Sequence, residues 1–401
     1  MKARVLSAAE ALDDQDLAAR WQSLADESAV PNPMFRPTAI RAAHRHLSGA
    51  DGIELLVVED GSDLALLWPF RRGQRLGRAP GRAASTFSHS QFLLATPLVR
   101  DADDPGPWAA AFDALSASGA GGCAAFADLD PALIPALARA AGRSGRLVRS
   151  LPSQERALAR RRTENDYLAS QISSSSLKSL ERKERGLTRD LGGGLDTVDL
   201  LSRDGVDEAL SAYIALEAAG WKGQDGGAIG CHPDEERFFY EAAAGLAAEG
   251  HLEMYGLEGA DGTLAAAALD LVDGPGWFSI KLTFDEDHAN RSPGKLLQRT
   301  AFARFHDSER EWLDSCSSPN DTSRNRLFPD RRRTATVLVQ IGGPAARAQV
   351  LIIEGLMRAQ SRWRAARRWW RRGGADRMQE RWNKAWESVR GRVAPAATGN
   401  R

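Results

Sequence analysis

The chain has 401 residues, of which 43% are hydrophobic and 26% charged, which is typical of a soluble globular protein with room for two domains. The 53 basic and 53 acidic residues cancel, so the net charge indicates no particular partner. The charge is divided along the chain, however, because residues 344–401 hold 14 Lys and Arg but only four Asp and Glu. An acidic body therefore precedes a basic tail.

Cysteine and histidine usage argues against a metal centre. Cys123, Cys231 and Cys316 are far apart, so neither a disulfide framework nor a zinc knuckle is predicted. His44 and His46 have no third ligand nearby, and no metal is expected. Without a run of about 18 apolar residues or a signal-peptide core, a cytoplasmic location is the expectation.

The first half, residues 1–151, is predicted to be one α/β unit. Two apolar runs at 53–71 are split by Glu-Asp-Gly-Ser-Asp, a typical hairpin turn. Helices are expected at 108–118 and 130–143, and a closing strand at 145–151. Charged residues at 156–164 are interpreted as a linker.

The second half begins with a helical region that starts near Asp166 and ends at three consecutive glycines, residues 192–194. Apolar leucines follow one face of this helix, and the other face is basic, with Lys178, Arg182, Arg185 and Arg189 at helical spacing. A strand (195–201), two helices (206–219 and 234–249), a hairpin (252–272) and a final core strand (311–316) are predicted after it. A basic face of this kind is usually solvated, but it also suits CoA phosphates, tRNA or anionic lipid.

Residues 276–305 contain the most informative pattern, which is a strand, a polar loop and a helix. The loop ends in Arg291, Ser292, Pro293 and Gly294, and the helix starts near Lys295. A glycine at such a turn permits close approach of a ligand, and the first helical turn offers unpaired N–H groups to an anion such as a pyrophosphate. The alternative is an ordinary strand-to-helix connection, since neither a Walker loop nor a G-x-G-x-x-G motif is present.

The tail, residues 344–401, combines tryptophan with arginine on two predicted helices separated by Gly373 and Gly374. Its large apolar residues recur at helical spacing: Leu356, Trp363 and Trp370 in the first helix, then Met378, Trp382 and Trp386. Three interpretations stay open: a membrane-interface segment, docking on the acidic body or a partner, and nucleic-acid binding.

Together these elements resemble the acyl-CoA N-acyltransferase (GNAT) fold. Residues 166–339 are similar to the CelD/BioF2-like acetyltransferase branch, which is related to the FemAB peptidoglycan aminoacyltransferases that use two such domains in tandem. The resemblance is carried by Glu217-Ala-Ala-Gly-Trp221-Lys222-Gly223, Lys281 followed by Phe284-Asp285-Glu286, Ser292-Pro293-Gly294 with its Leu-Leu helix, and Leu313-Asp314-Ser315-Cys316. Leu296 stands where the usual GNAT loop has a second Gly or Ala.

The resemblance implies an α/β (α+β) fold of tandem GNAT-like domains, with mixed sheets flanked by helices and a basic helical tail. The domains would be a degenerate unit (1–151), an acyltransferase unit (166–340) and the tail (344–401). The implied activity is acyl-CoA-dependent N-acylation of an amine on an envelope lipid or sugar, for which a sphingoid base is one option. Acyl-CoA would be the co-substrate, and the enzyme could be peripheral on the inner membrane.

Within that resemblance, N-acyl transfer needs a group that takes a proton from the amine. Glu217, Asp285 and Asp314 are the candidates, each with the alternative of a surface or capping carboxylate. Lys281 lies in an apolar strand, where an unpaired charge is costly, so it either pairs with Asp314 or Asp285 or takes part in catalysis.

The remaining implied roles concern binding. The phosphate-binding turn would be Arg291, Ser292, Pro293, Gly294 and Lys295. Trp221, Lys222 and His288 would contact the acceptor or acyl chain, although each also fits an ordinary packed or solvated side chain.

Two rival functions remain. One is a FemAB-like transferase that draws an aminoacyl group from tRNA, and the other is a non-catalytic GNAT scaffold at the membrane. Only the tRNA alternative involves nucleic acid.

Overall fold

Runs of apolar and β-branched residues form fourteen strands of one mixed sheet in the computed structural model, which describes residues 1–76, 82–151 and 153–369. The strands are β1 (Lys2–Ser7), β2 (Glu54–Asp60), β3 (Asp63–Gln74), β4 (Ala83–Thr86), β5 (Leu98–Val99), β6 (Cys123–Leu129), β7 (Val148–Ser150), β8 (Gln154–Arg160), β9 (Leu195–Asp199), β10 (Leu252–Gly259), β11 (Leu264–Asp273), β12 (Gly276–Phe284), β13 (Trp312–Asp314) and β14 (Asp330–Gln340).

Helices cover both faces of this sheet. They are α1 (Ala8–Asp13), α2 (Gln15–Asp26), α3 (Pro37–His46), α4 (Gly106–Ala117), α5 (Ile134–Arg143), α6 (Ser174–Asp190), α7 (Leu200–Asp204), α8 (Val206–Ala219), α9 (Trp221–Gln224), α10 (Pro233–Ala248), α11 (Pro293–Asp307), α12 (Thr322–Leu327) and α13 (Pro344–Trp369). Their ends follow ordinary capping chemistry: Ser7 and Glu10 form a capping box, and proline is the first residue of α3, α10 and α11.

The two halves of the chain exchange strands at the centre of the sheet. The strand order is β1-β2-β3-β4-β6-β14-β8-β13-β12-β11-β10-β9, with β5 beside β3 and β7 beside β14. Strand β8, which directly follows the first half, pairs with β13, while β14 comes from the second half and pairs with β6. Each half also contains a parallel pair, β4 with β6 and β12 with β13. This two-fold similarity supports two GNAT-like units, with boundaries that remain a proposal.

Strand β8 replaces part of the predicted linker. Residues 156–158 pair with β14 and residues 158–160 pair with β13, so the interpretation of 156–164 as a linker was wrong for most of its length. The sequence-based prediction was most accurate for the helix at 206–219, whose limits are those of α8.

Buried contacts join the halves into one body. Helices α3 and α10 pack together, and Arg36, which is almost wholly buried, donates to Asp273 of β11 at 2.7 Å and to Asp26 at 2.7 Å. Burying a guanidinium is costly unless it is paired in this way.

The described part of the tail is α13. Its first turns pack on β14 through Val350 and Ile353, while Leu356 and Trp363 are exposed. The predicted roles of Trp370, Met378, Trp382 and Trp386, and the break at residues 373–374, lie outside the described residues. None of the described helices has both the length and the hydrophobicity of a membrane span.

Candidate functional site

The turn that enters α11 is built for a close approach between the helix and strand β12. Ser292 adopts a left-handed conformation with φ of 57°, Pro293 is the first helical residue, and a Cβ on Gly294 would lie 3.1 Å from the Phe284 ring. Lys183 of α6 donates from Nζ to Ser292 Oγ at 2.7 Å. The start of α11 is thus fixed from two sides.

A cavity of about 440 Å³ opens beside this helix start. Three basic side chains line it: Lys183 from α6, Lys295 from α11 and Arg326 from α12. Serine and threonine side chains of α6 and α12, and Ser292 just before α11, line it too, together with Leu180 and Leu327. Basic side chains and the positive end of a helix dipole together form an environment that attracts a phosphate group.

A second cavity of about 260 Å³ continues along β12 and shares Ser292, Lys295, Ser323 and Leu327 with the first. It exists because β13 pairs with β12 only as far as Phe278, so the two strands part there. Leu282 and Phe284 of β12 line one wall, and Gln298 and Arg324 line the other. A channel therefore runs from the start of α11 towards the point where β12 and β13 part.

A buried polar cluster beneath this channel was missed by the sequence reasoning. Asp270 of β11 is fully buried, and its Oδ2 accepts hydrogen bonds from Tyr255 Oη and Trp277 Nε1, both at 2.8 Å. Arg324 donates to Ser279 Oγ at 3.2 Å and to Gln298 Oε1 at 2.7 Å. A charged residue within an otherwise apolar strand was the signal that could have revealed Asp270. The same signal had identified Lys281 in the next strand, β12.

Burial raises the pKa of Asp270 to about 6, although Trp277, Tyr255 and Arg324 each favour the ionised form. Because this pKa lies above that of an unfolded chain, the stabilisation from protonation is complete below about pH 4 and is lost as the pH rises through 6. We expect Asp270→Asn to remove this loss because asparagine does not titrate. The free energy of unfolding of the variant, relative to that of wild type, should therefore rise by roughly 3 kcal/mol from pH 4 to 7. Urea unfolding across that range measures it, and a constant difference would contradict the raised pKa.

Three of the predicted residues come together on the opposite face of β12, against α8 and α10. The Glu217 carboxylate is buried and accepts from Lys222 Nζ at 2.8 Å and from the Ile229 N–H at 2.9 Å. Lys281 lies over the Phe239 ring, with its Nζ 5.3 Å from the centroid.

The charges of this cluster shift one another. Burial raises the pKa of Glu217, but Lys281, the Ile229 N–H and Lys222 outweigh it and hold the pKa below its usual value. Burial lowers the pKa of Lys281 despite the attraction of Glu217. The expected pairing of Lys281 with Asp314 or Asp285 is not the one observed, because both of those carboxylates have other partners.

Asp314 is the centre of a buried ion cluster. It accepts from Arg156 Nη2 at 2.7 Å, from Arg332 Nη1 at 2.9 Å and from the Cys316 N–H at 2.9 Å. The two arginines belong to β8 and β14, the exchanged strands, so Asp314 connects the halves. Burial raises its pKa, but the two guanidinium groups outweigh this and keep the pKa below its usual value.

The other predicted residues lie apart from one another. Asp285 caps the short 3-10 helix Glu286–Arg291 by accepting from the Asp287 N–H, with His288 Nε2 at 4.0 Å. Arg291 turns away from the cavity and binds Asp190 at 2.7 Å. Trp221 is 54% exposed. Among the described residues, no three His, Cys, Asp or Glu side chains form a group suited to a metal ion.

Comparisons with known proteins agree with this geometry. Residues 174–321 match the family model for an acetyltransferase (GNAT) domain. The crystal structure of FemX superposes on 88% of this chain and 100% of its own, with 9% identity and a TM-score of 0.57. A conserved protein of unknown function from Bacteroides thetaiotaomicron VPI-5482 covers 82% of this chain and 97% of its own, with 10% identity and a TM-score of 0.50.

No curated protein sequence gives a significant match. The family model spans α6, β12, α11 and the Glu217 cluster but ends just before α12, which also lines both cavities, and the FemX likeness extends over both halves. Residues 174–321 therefore form a GNAT acetyltransferase domain, in a chain whose fold is similar to that of FemX.

Proposed function

We propose that the protein transfers an acyl group from acyl-CoA to an amine. The observation that carries this proposal is the basic cavity at the start of α11 and its continuation along β12. CoA combines a pyrophosphate with a long, mostly uncharged arm, and the two cavities offer a basic end followed by an apolar channel. No metal is part of the proposal.

On the donor side, the residues present fit the phosphates of CoA. Lys183, Lys295 and Arg326 supply positive charge, and the first turn of α11 supplies N–H groups. Beyond Phe278 the edge of β12 is unpaired by β13, which leaves backbone groups for the amides of the CoA arm. Arg291 contributes only by anchoring the loop to Asp190.

On the acceptor side, the amine must lose a proton before it attacks the acyl group. Glu217 and Lys281 lie on the face of β12 opposite α11, so a channel between β12 and β13 would bring donor and acceptor together from opposite faces. We propose this pair for proton handling, with Lys222 as its partner. Asp285 and Asp314 have capping and ion-pair contacts, and the proposal does not use them.

The direct test is mass spectrometry of products after incubation with a panel of acyl-CoAs and an envelope lipid extract. N-acylated lipid with an equal release of CoA is the expected result, and a sphingoid base is one acceptor to include. A protein that neither binds CoA nor forms product would be the non-catalytic scaffold instead.

The FemAB-like alternative has one observation in its favour, which is that the structure of FemX is covered over its whole length. Helix α6 also presents exposed basic residues, including Lys178 and Arg182. An aminoacyl-tRNA donor would bind with an affinity that falls steeply with salt. Transfer from charged tRNA, and none from acyl-CoA, would establish this alternative.

We further propose that the tail holds the enzyme on an anionic membrane surface. Helix α13 exposes Ile352, Leu356 and Trp363, and Arg358, Arg362 and Arg367 share this region. Basic residues near such a surface contribute about 1 kcal/mol each.

Deletion of residues 360–401 is expected to lower binding to anionic vesicles at least tenfold. The cut leaves Val350 and Ile353 packed on the body, whereas deletion from Pro344 would expose that core. Vesicle sedimentation with anionic and neutral lipids measures the effect, and the truncated protein should bind CoA as wild type does. Equal sedimentation of the two proteins with anionic vesicles would exclude the membrane role.

A further inference from the structure

A third cavity of about 310 Å³ lies between the two halves of the chain. The first half supplies Phe92, Leu93 and Asp128, and β8 supplies Gln154 and Arg156. The segment after β13, from Cys316 to Pro319, closes the cavity together with Thr334 of β14. The cavity is therefore lined by both exchanged strands and by both halves.

Strained backbone is concentrated at the cavities. In the part of the chain that the structure describes, three residues other than glycine have positive φ: Asp128 at 44°, Ser292 at 57° and Cys316 at 48°. Ser292 begins the basic donor cavity, and the other two both line the cavity between the halves. Such conformations cost about 1–3 kcal/mol each and cluster at functional sites.

Two charged side chains line this cavity, Arg156 and Asp128, and the attraction of Asp128 contributes to the raised pKa of Arg156. Asp314 binds both Arg156 and Arg332, and Arg332 also binds Asp130 at 3.0 Å. Within the described ranges this leaves Asp128 outside every ion pair, and its Oδ1 accepts only from Thr334 Oγ1, at 3.3 Å. The group that complements such a carboxylate is a cation.

The position of the cavity relates it to the donor channel. Cys316 follows Asp314, the last residue of β13 that pairs with β12, and it packs in the same core as Phe278 and Ile280. Cys316 therefore places the cavity two residues beyond the last β12–β13 pair, on the face of the sheet opposite α11. The thiol is not a nucleophile here, because burial raises the pKa of Cys316 strongly.

An apolar slot adjoins the same cavity. Phe92 lines both, and the slot of about 30 Å³ is otherwise formed mainly by side chains such as Phe238, Phe239 and Ile280. The slot is too small for an alkyl chain, but the cavity itself has an apolar side formed by Phe92 and Leu93.

We propose that this cavity binds the amine acceptor, with the ammonium group against Asp128 and an apolar chain along Phe92. The inference rests on the proposed N-acyl transfer and names the class of its acceptor, an amphiphilic primary amine. Asp128 is a binding residue in this scheme, and the acyl transfer itself is left to the groups on β12 and α8.

The test compares decylamine with 1-decanol, which has the same chain without the charge, by titration calorimetry on the full-length protein. We expect wild type to prefer decylamine by about tenfold, the gain typical of a charge-assisted hydrogen bond. Asp128→Asn should abolish the preference, and because asparagine tolerates positive φ the fold should be kept. Asp130→Asn, which removes a neighbouring paired carboxylate, should keep the preference.

Equal binding of amine and alcohol by wild type, or an unchanged preference in Asp128→Asn, would overturn the proposal, as would absence of amine binding at millimolar concentration. Thermal melting confirms that the variants are folded. CoA affinity is measured on the same samples, so a protein that binds CoA but not decylamine refutes the acceptor site alone. A protein that does not bind CoA refutes the proposed function instead.

Discussion

Replacement of Asp314 by asparagine is expected to lower the free energy of unfolding by about 3–5 kcal/mol. The Asp314 side chain has 0% exposure. Asparagine carries no charge, so Arg156 and Arg332 would stay buried at the junction of the exchanged strands without the carboxylate that binds them both. Breaking one member of a buried ion cluster costs more than the pair contributes, because the remaining charges lose their compensation. Chemical denaturation of wild type and variant measures the change.

The matched control is Arg333→Ala, which breaks the exposed pair with Glu155 on the same strands. It should cost less than about 1 kcal/mol. Because the pKa of Asp314 is lowered in the folded state, its contribution is present above the unfolded value near 4 and is lost as the pH falls further. The free energies of unfolding of wild type and Asp314→Asn should therefore converge in acid. A variant of normal stability that cannot transfer the acyl group would restore the catalytic role suggested by the sequence.

Local signals were sufficient where they agreed with the final contacts. Helix α8 was predicted at its observed limits because glycines at 205 and 220 flank a run of good helix formers. The start of α11 was predicted because a proline and a glycine mark it, and Ser292 and Lys295 do line a basic cavity. The assignment of that cavity to CoA phosphate remains a proposal.

Long-range pairing explains the failures. Strand β8 resembles a linker because it is rich in charge, yet Arg156 is compensated by Asp314 and Glu155 by Arg333, both far along the chain. In the same way, Lys183 reaches the α11 turn from α6, while Arg291 beside that turn binds Asp190. Neither contact can be read from the spacing of residues within one segment.

Replacement of Lys295 by glutamate is expected to weaken CoA binding roughly 30-fold, or about 2 kcal/mol. Lys295 belongs to the first turn of α11 and lines both parts of the donor channel, so the change turns an attraction for phosphate into a repulsion. Lys178→Glu is the matched control, since this exposed lysine of α6 lies outside the cavity and alters the net charge equally.

Pantetheine, which lacks the phosphates of CoA, separates a phosphate contact from a general disturbance of the site. If Lys295 faces phosphate, the variant should lose affinity for CoA and keep the affinity of wild type for pantetheine. The difference for CoA should also shrink at high salt, because an exposed lysine is screened over a Debye length of about 10 Å at 0.1 M. Parallel losses for both ligands would mean that the α11 turn shapes the channel without binding phosphate, and the donor would then have to be assigned from another part of the site.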